Sequence, residues 1–242
     1  MNNSEFSDAF DIMLNSHSTP AIYGEPSSRQ FITLDEYEKS LFLTKAQEEL
    51  VVNLYAGRTP FGAAFEGTEE LRRYLSNLIK EARKLPIKNT NGIILGADSN
   101  SKFFTLPEDL WFITYESVTI GNEKCKGKNT MKVVPVRQDE YQNIKDNPFR
   151  GANDRRALRL DLSKGNIEII CKYQVTNYFV RYIRKASPII LIDLPDNLTI
   201  EGKGKESKCE LHEALHQKIL EIAVGRALQS KGYNISREKS DN

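Results

Sequence analysis

Two histidines and a glutamate in the sequence have the spacing of a zinc peptidase motif. Residues 212–216 read His-Glu-Ala-Leu-His. Side chains four positions apart share one face of an α-helix, so His212 and His216 could bind a single zinc ion. Glu213 could then act as general base on a zinc-bound water molecule. Taken alone, this pattern predicts metal-dependent hydrolysis of a peptide bond.

The ligand set of this motif is incomplete, because a catalytic zinc needs a third protein ligand. The third histidine of the chain, His17, lies far away in the sequence. The downstream acids Glu221 and Glu238 fall on the same predicted helix and in a polar tail, respectively. Neither acid lies on a second helix that could face the motif. We therefore predict no catalytic residue and no cofactor.

Two other interpretations of the same segment are open. Cys209 together with both histidines could form part of a structural metal site. Alternatively, Cys209 and His216 are half-buried packing residues, and His212 is a surface group at the start of a helix. Glu213 then needs no catalytic role, since a negative charge suits the positive end of the helix dipole. We favour this last interpretation and predict no bound metal, with His212, Glu213 and His216 as the alternative zinc site.

The element that would position these residues is an amphipathic helix within residues 207–232. Gly232 is a typical C-terminal stop for such a helix. The polar residues 233–242 that follow are predicted to stay disordered unless a partner orders them. The apolar side of the helix comprises Leu211, Leu215, Ile219, Ile222, Ala223 and Leu228.

Residues 1–86 are predicted to be mainly helical. A short first helix would carry three apolar side chains on its buried side: Phe6, Phe10 and Leu14. A longer helix is predicted over residues 68–85, because acids fill its first turn, bases fill its last turn and Pro86 follows. Its apolar stripe comprises Leu71, Leu75, Leu78, Ala82 and Leu85.

Two capping boxes lie between these helices. Thr33 with Glu36, and Thr44 with Gln47, both fit the S/T-x-x-E/Q pattern, in which the first side chain binds a free backbone N–H of a helix start. The two boxes predict a short helix, a hinge at residues 43–44, and a second helix that stops at Gly57.

Residues 87–206 are predicted to be mainly β-structure. A short helix is expected at residues 138–145, and residues 163–166 have the composition of a hairpin turn. The connections are too short for helical crossovers, which favours antiparallel pairing. Candidate strands are residues 92–95, 102–106, 110–120, 131–136, 157–162, 167–173, 178–184 and 189–192. The predicted fold is a single α+β body, in which N-terminal and C-terminal helices pack on a mainly antiparallel sheet with extended hairpins.

Composition narrows the functional classes. The formal net charge of the 242 residues is only +1, so the chain lacks the overall basic character that dominates DNA binding, although local contact with DNA stays possible. Three widely spaced cysteines predict no disulfide framework. No apolar run approaches the roughly 18 residues that span a bilayer, and acids stand where a signal peptide would carry Lys or Arg. We expect neither standard secretion nor a membrane partner.

Two basic clusters could touch a partner. Lys124, Lys126 and Lys128 crowd a predicted hairpin tip, which we interpret as a solvated loop, with contact to a neighbouring subunit or DNA as the alternative. A second cluster comprises Arg150, Arg155, Arg156 and Arg159. For this cluster we favour pairing with carboxylates of another subunit, because no aromatic residues are interleaved for base stacking.

Several blocks of the sequence together resemble virion structural proteins of crAss-like, podovirus-type phages. One is the charged segment at residues 34–49, LDEYEKSLFLTKAQEE. Others follow in a fixed order within residues 131–228, among them VVPVRQDEYQNIKDNPFRG, RALRLDL, YFVRYIRKASPIILIDL and CELHEALHQKIL. In those relatives the last block commonly has proline where this chain has His212, so the zinc motif could arise from one substitution in a structural helix. Residues 91–128 match no block of that family.

The resemblance implies a non-enzymatic head–tail connector or tail ring subunit. It further implies a homo-oligomeric ring, expected to be a dodecamer, that lies below the portal protein, contacts other tail ring proteins and surrounds the DNA path. The expected location is the virion, after assembly in the host cytoplasm. A zinc peptidase, or another scaffold or cargo protein of the same particle, are the alternatives.

Overall fold

The computed structural model describes residues 1–17, 32–58, 65, 67–87, 101–121 and 130–231. Its helices are α1 (Asn3–His17), α2 (Glu36–Ala56), α3 (Glu69–Tyr74), α4 (Gln138–Ile144) and α5 (His216–Ser230). Its strands are β1 (Ile79–Lys84), β2 (Lys102–Thr105), β3 (Leu110–Ile120), β4 (Thr130–Pro135), β5 (Arg156–Asp161), β6 (Asn166–Ile170) and β7 (Val175–Arg184). The α+β class predicted from the sequence is confirmed.

The chain divides into two compact units. The helical unit comprises Met1–Leu78 and Ala186–Asn242, and the sheet unit comprises Ile79–Lys185. The organisation of the chain as a single body stays a prediction. Four predicted features lie outside the described residues: the strand at 92–95, the lysine-rich tip at 124–128, the helix stop at Gly232 and the tail at 233–242.

In the helical unit, α1, α2 and α5 pack on one another. The predicted apolar side of α1 is confirmed, since Phe6, Phe10 and Leu14 are fully buried. Most of the apolar side predicted for α5 is buried as well, including Ile219 and Ala223. The helical periodicity of these residues therefore indicated the buried faces correctly.

The two predicted capping boxes are wrong. The N-cap of α2 is Asp35, whose side chain accepts from the backbone of Glu38 while the Glu38 side chain accepts from the Asp35 backbone. The helix then runs without a hinge through Thr44 and ends before Gly57, which has the left-handed φ of 72° that favours glycine. Both Thr33 with Glu36 and Asp35 with Glu38 have the spacing of a capping box. The tertiary packing of α2 decides which of the two pairs forms the cap.

The long helix predicted over residues 68–85 is also wrong beyond its first turns. The predicted start at residue 68 is confirmed, and Thr68 caps α3. However, α3 ends at Tyr74, and residues 79–84 form β1 instead. Every residue of β1 has a register partner on β7, from Ile79 opposite Ile183 to Lys84 opposite Tyr178. Strand β7 thus provides a pairing partner along the whole of β1, and this tertiary pairing overrides a weak preference of the segment for helix.

The sheet has the strand order β1-β7-β3-β4-β5-β6-β2. In this sheet β4 and β5 run parallel across the crossover helix α4, and the other neighbouring strands run antiparallel. The mainly antiparallel sheet, the short helix at 138–145 and the hairpin at 163–166 are therefore confirmed. The expectation that the connections are too short for a helical crossover is wrong, because α4 connects the parallel strands β4 and β5. The strands predicted between residues 102 and 184 match β2 to β7 within a few residues.

The sheet curls so that its two ends approach each other. The ring of Phe104 on β2, an edge strand, lies 5.5 Å from that of Tyr178 on β7, which is next to the opposite edge. Just after β1, the N–H of Ile87 donates to the carbonyl of Phe103 at 2.9 Å. One face of the curled sheet encloses an apolar core that includes Val118. Helix α4 covers part of the other face through Tyr141, Ile144 and their apolar neighbours.

Candidate functional site

The first histidine of the H-E-x-x-H segment lies outside the helix. His212 is exposed and has extended backbone angles, φ −59° and ψ 142°. Its Nδ1 accepts the N–H of Ala214 at 3.2 Å, which caps a short 3-10 turn ahead of α5. The ring of Tyr74 lies 5.7 Å from the imidazole. The residue therefore serves as a surface cap, as the favoured interpretation of the sequence described.

The second histidine is buried and has partners at both ring nitrogens. The Nδ1 of His216 lies 2.9 Å from the amine of Met1, and its Nε2 lies 3.3 Å from the carbonyl oxygen of Leu211. The ring of Phe6 packs against it at 5.1 Å. Burial lowers the pKa of His216 below its ordinary value, and the positive charge of the Met1 amine lowers it further. A neutral imidazole that accepts at Nδ1 and donates from Nε2 satisfies both contacts.

The structure does not bring the residues of the alternative zinc site together. His212 caps a 3-10 turn that begins at Glu213, and both side chains are exposed, whereas His216 is buried against α1. Cys209 instead has Sγ 3.4 Å from Oε1 of Gln47, and burial raises its pKa to about 11. Within the described ranges, no group of three or more His, Cys, Asp or Glu side chains is placed to hold a metal ion. That the protein binds no metal stays a prediction.

A ladder of polar side chains on α2 is the feature that sequence reasoning did not find. Its members are Ser40, Thr44 and Gln47, all buried. They bind an extended segment, residues 187–191, that was predicted as a strand at 189–192. The segment is no strand of the sheet; its one β-bridge joins Ile190 to Ser207.

The contacts of this ladder are made to backbone groups. The hydroxyl of Thr44 donates to the carbonyl of Ile189 at 3.2 Å and accepts its N–H at 3.1 Å. The hydroxyl of Ser40 accepts the N–H of Leu191 at 3.0 Å, and the amide of Gln47 donates to the carbonyl of Ser187 at 2.8 Å. The spacing of these residues at i, i+4 and i+7 was a signal that could have indicated a polar face.

The second basic cluster divides into internal and surface residues. Arg159 was predicted to pair with another subunit, but its Nη1 lies 2.6 Å from Oε1 of the buried Glu116 in the same chain. The hydroxyl of Tyr178 donates to the other oxygen of Glu116 at 2.7 Å. Burial alone would lower the pKa of Arg159, but the carboxylates of Glu116 and Asp161 raise it. The guanidinium is a structural element of the sheet core.

The remaining members of this cluster lie around one loop. The guanidinium of Arg156 donates to the backbone carbonyls of Phe149 and Gly151. Arg150 and Arg155 are exposed. Neither of these two guanidinium groups has an ion-pair partner in the described part of the chain. They are the members of the cluster that are free to meet a carboxylate of another molecule.

Two comparisons bear on the function. The profile of a family described as phage tail ring protein 3/4 matches residues 1–239. Ring protein 3 of Bacteroides phage crAss001 is 48% identical over 235 residues, which cover 96% of this chain and 96% of that protein. Ring protein 4/5 of the same phage is 32% identical over 234 residues, covering 93% of this chain and 91% of that protein.

None of the helices described is long and apolar enough to cross a membrane.

Proposed function

Because the chain belongs to the family of phage tail ring proteins 3/4, we propose that it closes into a ring at the head–tail junction of a phage particle. Family membership makes the chain a structural, oligomer-forming component of the tail within the virion. The match over residues 1–239, together with a relative named Ring protein 3 at 48% identity, is the observation that carries the proposal.

The proposed ring is a dodecamer that lies below the portal protein, contacts other tail ring proteins and surrounds the DNA path. Subunits of a ring meet through two different surfaces, and the contact repeats until rotation closes it. The net charge of +1 fits non-specific and local contact with DNA rather than a continuous basic groove. Assembly in the host cytoplasm, with no membrane partner, completes the proposal.

We also expect no catalytic activity. The support is geometric: His212 is exposed, whereas both ring nitrogens of His216 already have partners inside the helical unit. Elemental analysis and a peptide-hydrolysis assay of purified protein test the expectation. Because His212 is exposed, His212→Ala is expected to fold normally, so stoichiometric zinc and hydrolysis that are both lost in this variant would contradict it.

A density map of purified phage particles tests the ring. The expected result is a closed ring of this chain at the head–tail junction, with twelvefold symmetry and a central channel that holds DNA. Location of the chain inside the capsid, or its absence from mature particles, would favour a cargo or scaffold role and would contradict the proposal. Native mass spectrometry of the isolated protein gives an independent measure of the copy number.

A further inference from the structure

The loop between α4 and β5 fixes one aromatic side chain in solvent. Phe149 is 85% exposed. Its backbone is nevertheless held in place, because Oδ1 of Asn147 accepts the N–H of Phe149 at 2.9 Å and that of Arg150 at 3.1 Å. From the other side, Arg156 donates to the carbonyls of Phe149 and Gly151.

Gly151 shows how tightly this turn is built. A Cβ atom at this position would lie 2.7 Å from the carbonyl oxygens of both Lys145 and Asn147, so only glycine fits without a backbone shift. A side chain on such a turn loses little backbone freedom when it binds, which is the property of a preorganised anchor residue. Single exposed apolar residues are common on protein surfaces, so what distinguishes Phe149 is the rigid turn that holds it and the arginines beside it.

The charged residues beside Phe149 include two arginines. The same loop also carries the exposed acids Asp146 and Asp154, and Asp154 lies 3.7 Å from the amine of Lys172. Arg150 is its chain neighbour, and Arg155 follows in the same loop; both are exposed. We call Phe149, Arg150 and Arg155 the Phe149 knob. It combines an apolar tip with two guanidinium groups that can donate to carboxylates of another molecule. Arginine and phenylalanine are both enriched in protein–protein interfaces.

A groove on the helical unit has the complementary character. Its apolar lining comes from Phe42 on α2 and from Ile222 and Gly225 on α5. Its polar lining comprises Glu49, Glu221, Arg226 and Gln229, and the guanidinium of Arg226 already donates to Glu49. We call this surface the α2–α5 groove.

Both carboxylates of the α2–α5 groove keep one oxygen for a further partner. The guanidinium of Arg226 donates to Oε2 of Glu49 at 2.6 Å. The amine of Lys218 donates to Oε2 of Glu221 at 2.8 Å. In the described part of the chain, neither Oε1 accepts a hydrogen bond. The two side chains are 39% and 46% exposed, respectively, so an incoming guanidinium can reach them.

We propose that the Phe149 knob of one copy docks in the α2–α5 groove of the next copy around the ring. Phe149 would fill the apolar lining between Phe42 and Ile222, while Arg150 and Arg155 would pair with Glu221 and Glu49. This inference rests on the proposed ring and assigns the residues that close it.

The proposed contact has the symmetry that a ring requires. The knob and the groove are different surfaces of the same chain, so their pairing is heterologous and leaves a free knob and a free groove at the two ends of every open row. Rotation about one axis lets these free ends meet. A self-complementary contact would stop at a dimer.

The density map of purified particles is the direct test. Side-chain atoms of Phe149 are expected within about 4.5 Å of Phe42 or Ile222 of the neighbouring copy. A ring whose copies meet through other surfaces, or a Phe149 knob that contacts a different tail protein, would overturn this inference and leave the proposed ring intact. Absence of a ring would overturn the proposed function itself, so the two failures are distinguishable.

Variants supplied in trans during infection measure the strength of the contact, read as the fraction of chain incorporated into particles. Phe149→Ala is expected to reduce incorporation on the order of tenfold or more, as the loss of a central anchor does. Leu85→Ala is the matched control, because Leu85 is 71% exposed in the same unit but lies outside the knob. Equal incorporation of both variants would contradict the proposal.

A charge exchange tests the partner of the knob. Arg150→Glu is expected to reduce incorporation, because it places an acid beside the acidic rim of the groove. Combining it with Glu221→Arg restores an opposite pair across the interface and should recover most of the loss. If the double variant is incorporated no better than Arg150→Glu alone, the pairing of these two surfaces is wrong.

Discussion

The sheet unit and the helical unit each contain a buried polar cluster, and the two clusters are built differently. In the sheet unit, three side chains pair with one another: Glu116, Arg159 and Tyr178. In the helical unit, Ser40 and Thr44 bind the backbone of an extended segment instead.

The difference follows from where backbone hydrogen bonds go. Backbone groups inside a sheet are satisfied by neighbouring strands, so a buried polar side chain there must find another side chain. The segment at 187–191 lies among helices that satisfy their own backbones, and its one β-bridge is to Ser207. The hydroxyls of α2 therefore take the place of a neighbouring strand.

The largest effect is expected from Glu116→Ala. It leaves the Arg159 charge and the Tyr178 hydroxyl buried without their main partner, which costs about 3–5 kcal/mol of unfolding free energy. Trp111, the single tryptophan of the chain, lies on β3, so its fluorescence in a urea titration follows the sheet unit. Circular dichroism at 222 nm follows the helices in the same samples.

A double variant separates a lost pair from a lost charge. Glu116→Leu combined with Arg159→Leu removes both buried charges and should be more stable than Glu116→Ala, because no unpaired ion is left inside. A double variant less stable than the single one would show that the pair itself contributes most of the stability.

Thr44→Val should have a smaller effect, about 2 kcal/mol, in the helical unit. Valine has nearly the shape of threonine but leaves the buried N–H and carbonyl of Ile189 without this partner. Circular dichroism during urea unfolding measures the loss. Thr44→Ser retains the hydroxyl and is the control; if both variants lose equal stability, the methyl group rather than the hydrogen bonds is responsible.

A further effect, confined to acidic pH, is expected from His216. Its pKa is lowered in the folded state, so below about pH 6.5, the ordinary value, the unfolded chain binds the proton first. Stability is therefore complete above this pH and declines as the pH falls toward the lowered pKa.

The comparison with His216→Gln isolates this contribution, because glutamine does not titrate. Thermal unfolding is measured from pH 7.5 to pH 5, and the wild type should lose more stability over this range than the variant. The Met1 amine, Glu213 and His212 also contribute to the charge around the imidazole and are common to both proteins. Parallel pH profiles would contradict the prediction.

The smallest effect on stability is expected from Phe149→Ala. Because Phe149 is 85% exposed, its removal should change the unfolding free energy by at most about 0.5 kcal/mol. Phe104→Ala, which empties a fully buried position of the same unit, should cost about 3–5 kcal/mol. A large loss for Phe149→Ala in the isolated protein would mean that the knob supports its own fold rather than a neighbour.

The spacing of apolar residues correctly predicted those helices and strands whose type depends mainly on residues close together in the sequence. The strands β3 to β7 and the buried side of α1 are examples, since alternation and helical spacing directly give the buried face. The same kind of spacing failed for residues 79–84. The apolar residues predicted to form one helical stripe are divided among α3, a 3-10 turn at Ser76–Leu78, the edge strand β1 and the residues that flank these elements. The spacing of apolar residues along the chain carries no information about the position of β7, the strand that pairs with β1.

The candidate sites show the same limit. The H-E-x-x-H spacing implies a shared helix face, but α5 begins at His216 and leaves His212 outside it. The exposed Arg150 and the buried Arg159 look alike in the sequence. Their roles differ because the side chain of Arg159 on β5 is buried and donates to the carboxylate of Glu116 on β3.

The sequence by itself determined the family, the α+β class and most of the apolar faces, because these depend on residue identity and on spacing along the chain. Only the tertiary structure decided which hydroxyl is a helix cap and which replaces a strand, which arginine is buried, and where β1 begins. Those outcomes depend on hydrogen-bonding partners distant in sequence, and a buried polar group adopts whatever role its nearest partner allows.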